Sequence, residues 1–76
     1  MKGESFEHFF ERNRKRIHYH IHDLGIRDLH NEYYTEGVYA LWKWWKMDQQ
    51  SRDPVAIDID TMIRVLLMEM VERKYL

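Results

Sequence analysis

Three histidines alternate at His18, His20 and His22, and in a chain without cysteine they are the conspicuous candidates for metal ligation. On a helix His18 and His22 share a face at i,i+4, the spacing a zinc site uses, while His20 points elsewhere. Two imidazoles do not make a site. A third ligand would have to come from His8, His30 or an acid on another element, so the histidines read as a solvated face and no metal is expected. The chain has no glycine-rich phosphate loop, no HExxH zinc-protease pattern and no nucleophile elbow. In 76 residues there is little room for a water-excluding pocket, so neither an enzyme nor a bound cofactor is expected.

The residues most able to act on a partner lie between Asp28 and Asp48, where Tyr33, Tyr34, Tyr39, Trp42, Trp44 and Trp45 crowd one stretch with His30 and no proline. At helical spacing Leu29, Tyr33, Gly37, Ala40, Leu41 and Trp44 fall on one broad side, and Tyr34, Val38, Trp42 and Trp45 lean toward the next. A chain of 76 residues removes only about 60% of its unfolded surface from water, so its core is thin. Tyr33, Leu41 and Trp44 fill that interior, each ring burying roughly 150–250 Å². Tyr34, Tyr39, Trp42 and Trp45 are then left to form an apolar surface of the kind that marks a protein interface.

Net charge is −1, which argues against attachment to nucleic acid by bulk electrostatics. Charge is nevertheless uneven, with Arg12, Arg14, Lys15 and Arg16 close together and Asp53, Asp58 and Asp60 in a later cluster. The ordinary reading of each cluster is a solvated helix face or a helix start. Single-stranded DNA binding through Arg12, Arg14 and Arg16 with nearby rings is the reading that gives the basic cluster a function. No apolar run approaches the roughly 20 residues of a membrane span, and the acids near the N-terminus do not suit a signal peptide. The expectation is a soluble, cytoplasmic chain with no membrane contact.

Three helices must position these groups. Ser5 is a candidate N-cap, and Phe6, Phe9, Phe10, Asn13, Ile17, His20 and Ile21 recur at steps of three and four, which predicts a first helix over 5–22. Gly25 is the natural left-handed residue after it, with Leu24 or Ile26 folding back. Asp28 can cap a second helix over 28–48, with Glu32 near the same positive end. Gly37 inside that helix costs about 1 kcal/mol relative to alanine, which suggests that another helix approaches there. Asp53-Pro54 reads as an N-cap followed by a first-turn proline, or equally as a turn a few residues ahead of the helix proper, and the third helix is expected over 54–75. Ile59, Met62, Ile63, Leu66, Leu67, Met70 and Val71 form its inner stripe, and Met62, Met68 and Met70 are taken as core. The fold class is all-α, a compact three-helix bundle in a single domain, 1–76, without strands.

The second helix also resembles a known family. Glu32-Tyr-Tyr-Thr-Glu36-Gly37 followed by Val-Tyr-Ala-Leu41-Trp42 and closing on Asp48 is similar to the most characteristic segment of conserved region 2 of bacterial sigma-70 family factors. The Phe-rich start, the Leu24-Gly-Ile26 corner and Ile63-Arg64 extend the likeness over about residues 5–72. The resemblance implies a region 2-like bundle whose second helix docks on the clamp-helices coiled coil of the RNA polymerase beta-prime subunit. By resemblance the docking residues are Glu32, Thr35, Glu36, Val38, Tyr39 and Trp42, with the acids meeting basic residues of the partner. Thr35 stands where the family usually has glutamine, and Val38 where a polar residue is common.

Family members that melt promoter DNA carry aromatic and basic residues where this chain reads Ala56, Ile57, Asp58, Ile59, Asp60, Thr61, Met62. Unstacked bases need rings and phosphates need cations, and neither is present at those positions. No helix-turn-helix unit occurs in these 76 residues, which would equally suit part of a longer factor. The expected role is therefore a sigma-like module in transcription initiation that works with a second sigma-like polypeptide and meets promoter DNA only within the holoenzyme. Arg12, Arg14, Arg16 and Arg64 are its candidate nucleic-acid contacts. The alternative is a homodimeric helical interaction module without DNA binding.

Overall fold

Ser5 begins the first helix as its type suggests: in extended backbone (φ −67°, ψ 154°), its hydroxyl accepts the His8 amide at 3.2 Å. In the computed structural model, which describes residues 3–74, α1 runs Phe6–Asp23, α2 Glu32–Gln50 and α3 Ile59–Lys74, and no strand occurs among the described residues. The protein is an all-α three-helix fold. The middle helix packs against both others, and α1 and α3 meet over a smaller area.

The end of α1 follows the glycine rule. Gly25 sits at φ +69°, the Gly25 amide donates to His22 O at 3.0 Å, and the Ile26 amide donates to Ile21 O at 3.0 Å. These two bonds form the Schellman pattern, with Ile26 folded back onto the core cluster that contains Ile21. A Cβ at Gly25 would meet nothing within 4 Å, so only the left-handed backbone opposes a side chain there. Gly25→Ala should therefore lower stability by about 1 kcal/mol, read as a lower urea midpoint with an unchanged slope.

Two helix starts differ from the sequence expectation. The second helix begins at Glu32, not at Asp28, because Asn31 takes a left-handed conformation (φ 57°, ψ 21°) that no helix passes through. Asp28 still satisfies the helix end, from a distance: its two carboxylate oxygens accept the Tyr33 and Tyr34 amides at 3.0 and 2.8 Å. Leu29 consequently lies outside the helix and is 74% exposed, so it is not part of the inner face. The third helix begins at Ile59, not 54, and its cap is Asp58, whose Oδ1 accepts the Thr61 amide at 2.7 Å. Asp53-Pro54 belongs instead to a connecting loop held down where the Trp44 indole donates to Ile57 O at 2.8 Å. The expected end of that helix at residue 75 lies outside the described residues.

The core is built from Phe9, Ile17 and Ile21 of α1, Tyr33, Ala40 and Leu41 of α2, and Met62, Ile63, Leu66 and Leu67 of α3. Asn13 and His20 are the buried polar members of the α1 stripe. Asn13 donates to Phe9 O at 2.8 Å and accepts from Arg16 at 2.9 Å. Met62 is core and Met70 packs against it, but Met68 is 41% exposed on the far side of α3, beside exposed Val65. The methionines therefore do not form one inner stripe, since a residue two positions from Met70 and six from Met62 turns away from both at 100° per residue.

Candidate protein-docking face

One turn of α2 every 3.6 residues brings Glu32, Thr35, Glu36, Tyr39, Trp42, Lys43 and Lys46 to the side opposite Gly37, Leu41 and Trp44. Tyr39 and Trp42 are 47% and 41% exposed, and their rings stack with centroids 6.1 Å apart at 23°. Lys46 Nζ lies 5.4 Å from the centre of the Trp42 ring, a cation over a π face. A stacked, half-exposed ring pair with a charged border has the form of an interface anchor.

The remaining expected docking residues are placed less evenly. Glu36 is half-buried and makes no ion pair among the described residues. Glu32 is already engaged: Lys74 Nζ lies 2.7 Å from its Oε2, and that hydrogen bond holds the Glu32 carboxyl below its usual range while raising Lys74. This pair ties the end of α3 to the start of α2, and the same lysine sits 5.2 Å from the Tyr33 ring. Thr35 is exposed, with its hydroxyl donated to Asn31 O at 2.8 Å. Val38 packs against the core and contributes only the flank of the face.

Two rings expected to be surplus are not. Tyr34 stacks on His18 at 4.8 Å, and Trp45 meets Phe6 edge-on at 5.6 Å while its indole donates to Glu4 O at 2.9 Å. Both are half-buried against α1, because Tyr34 and Trp45 point toward its length and not away from it. The exposed aromatic surface of α2 is thereby reduced to Tyr39 and Trp42.

The candidate nucleic-acid arginines are held by acids of the same chain. Arg12 makes a bidentate pair with Glu4 (2.8 and 2.7 Å), Arg16 Nη1 reaches Asp60 Oδ2 at 2.6 Å, and Arg64 Nη1 reaches Asp23 Oδ2 at 2.9 Å. Arg14 lies 3.6 Å from Glu11. The Arg12 hydrogen bond holds the Glu4 carboxyl below its usual range. Asp58 is lowered as well, by the Thr61 backbone amide it caps.

Between α1 and α3 lies a polar seam that spacing along the chain did not show. His20, buried, donates from Nε2 to Asp60 Oδ1 at 2.9 Å, while Arg64 Nη1 stands 3.5 Å from His20 Nδ1. Burial pushes the Asp60 carboxyl up, and the hydrogen bonds from His20 and Arg16 outweigh it, leaving the group below its usual value. His18, with its ring on Tyr34, and His22 belong to no group of three potential ligands among the described residues. No helix of the described chain is long and apolar enough to cross a membrane.

Lys43 and Lys46 escaped the sequence reading of the face. Their spacing, four residues after Tyr39 and Trp42, was the available signal. Comparison of the chain with protein-family models, with curated proteins and with solved structures finds no match.

Proposed function

We propose that this chain is a cytoplasmic, sigma region 2-like module of bacterial transcription initiation that docks on core RNA polymerase through α2. The partner surface is the clamp-helices coiled coil of the beta-prime subunit, and a second sigma-like polypeptide supplies promoter recognition. The observation that carries this reading is the exposed Tyr39–Trp42 pair beside the unpaired Glu36, set within the segment whose residues resemble the family's docking motif. Support for a second polypeptide comes from the positions where melting residues would stand. Asp58 caps α3 and Asp60 binds Arg16 and His20, so both acids serve the fold, and neither offers a base or phosphate a contact. Promoter DNA is met only within the assembled holoenzyme.

The isolated beta-prime clamp coiled coil is the test probe. Trp42→Ala and Glu36→Lys should each weaken binding at least tenfold, since truncating a central ring or reversing a rim charge removes an anchor or introduces repulsion. Equal binding by the unaltered chain and both variants would overturn the reading. A second copy of the chain is the competing occupant of the same rings. Sedimentation that finds a monomer at micromolar concentration would remove that alternative.

A further inference from the structure

The order of charge along α2 restricts what can lie on it. From N- to C-terminus the outward side presents Glu32 and half-buried Glu36, then Tyr39 and Trp42, then exposed Lys43 and Lys46. Helices commonly neutralise such charges internally at i±3 or i±4. Here they do not: Glu36 has Glu32, Tyr33, Tyr39 and Ala40 at those positions, Lys43 has Tyr39, Ala40, Lys46 and Met47, and Lys46 has Trp42, Lys43, Gln49 and Gln50. None of the three makes an ion pair among the described residues, and Lys46 meets only the face of Trp42.

The helix dipole does not explain the arrangement either. Its influence fades beyond the first and last turns, and in a helix running Glu32–Gln50 those turns are 32–35 and 47–50, so Glu36 and the two lysines lie between them. Separation along the axis is also too great for mutual pairing, because ten residues from Glu36 to Lys46 span about 15 Å. What remains is a surface with an acid at one end, a ring pair in the middle and two cations at the other.

Resting on the docking reading above, we infer that α2 selects a helical partner whose charges run in the reverse order. A base faces Glu36, aliphatic side chains cover Tyr39 and Trp42, and an acid faces Lys43 and Lys46. Opposite charges set across an apolar anchor fix register as well as attraction, because sliding the partner by two turns or turning it end for end juxtaposes like charges. Lys43 and Lys46 are thus specificity residues, and the face accepts the partner helix in one direction.

The experiment titrates the clamp coiled coil, by fluorescence anisotropy at low and high salt, with the unaltered chain, Lys43→Glu/Lys46→Glu, Trp42→Ala and Lys15→Glu as a control from an exposed site on α1. Circular dichroism confirms that each variant keeps its helices. The double lysine variant should bind at least tenfold more weakly at low salt, with the difference shrinking at high salt, and Lys15→Glu should bind like the unaltered chain. Reversing the acid of the coiled coil that faces the lysines should restore most of the lost affinity. If Trp42→Ala loses binding while the double lysine variant stays within twofold of the unaltered chain, the charge-order inference is wrong and the docking reading stands. If the unaltered chain does not bind the coiled coil, both are wrong.

Discussion

Gly37→Ala should destabilise the protein by about 1–3 kcal/mol, seen as a lower denaturant midpoint with little change in slope. On an open helix surface the same change would stabilise by close to 1 kcal/mol, because alanine is the better helix former. The sign reverses here because of Ile17. A Cβ added at Gly37 would fall inside the contact distance of Ile17 Cγ2 and press on Ile17 Cγ1 at 3.1 Å and Cβ at 3.2 Å. Ile17 is fully buried and has a stiff, branched side chain, so it cannot swing clear, and α1 and α2 would have to separate. Ile17→Ala alone should cost roughly 2–5 kcal/mol through the cavity it leaves. Combined with Gly37→Ala, it should cost less than the two singly, since the new methyl partly fills that cavity. A rise in midpoint for Gly37→Ala would show that the two helices are not held at this distance.

The second large effect belongs to Asp60. Asp60→Ala leaves the buried His20 Nε2–H without its acceptor and Arg16 without its acid, and should cost about 1–3 kcal/mol. Asp60→Asn keeps an oxygen for His20 and loses only the charge toward Arg16, so it should cost less. The Asp60 carboxyl lies below its ordinary value of 3.8 in the folded chain, and the carboxyls of Glu4, Glu32 and Asp58 are lowered too. A group lowered on folding contributes stability that is fully present above its unfolded value and is lost as pH falls through its folded value. The melting temperature should therefore fall on acidification from about pH 5 downward. Asp60→Asn should fall less steeply over that range. An equally steep fall in the variant would show that this seam does not couple folding to protonation.

Ion pairs within the chain already engage the arginines at 12, 16 and 64, with Glu4, Asp60 and Asp23. Each would have to leave an acid of the same chain, and that exchange offsets the counterion release that drives nonspecific binding. The acids that looked like a departure from a DNA-melting helix are in this light parts of a folded structure. Asp58 starts a helix, and Asp60 joins two.

How much of this was legible in the residues varies with the range of the cause. Ser5, Gly25 and the α1 stripe act within a few residues of themselves, and helix one was accordingly readable to within a residue at each end. Gly37 was readable as a close approach, although not that Ile17 is what approaches. The starts of α2 and α3 were misplaced because caps can act over a loop. Asp28 reaches forward to Tyr33 and Tyr34 past a left-handed Asn31, and Asp53-Pro54 imitates a helix start that Asp58 provides. Tyr34 and Trp45 look surplus in the sequence because a helical wheel shows which side a ring occupies, but not how far the neighbouring helix extends beside it.

Local chemistry alone thus determined that this protein is three amphipathic helices with a glycine corner, a thin apolar core and more rings on α2 than one side can bury. Those are consequences of side-chain period, backbone preference and chain length, which operate without knowledge of the rest of the molecule. Only the tertiary structure decided that Tyr39 and Trp42 are the rings of α2 left most exposed, and that Glu36, Lys43 and Lys46 beside them make no ion pair among the described residues. Those outcomes depend on the register and separation at which helices distant in sequence meet, and the packing of buried side chains such as Ile17 sets both.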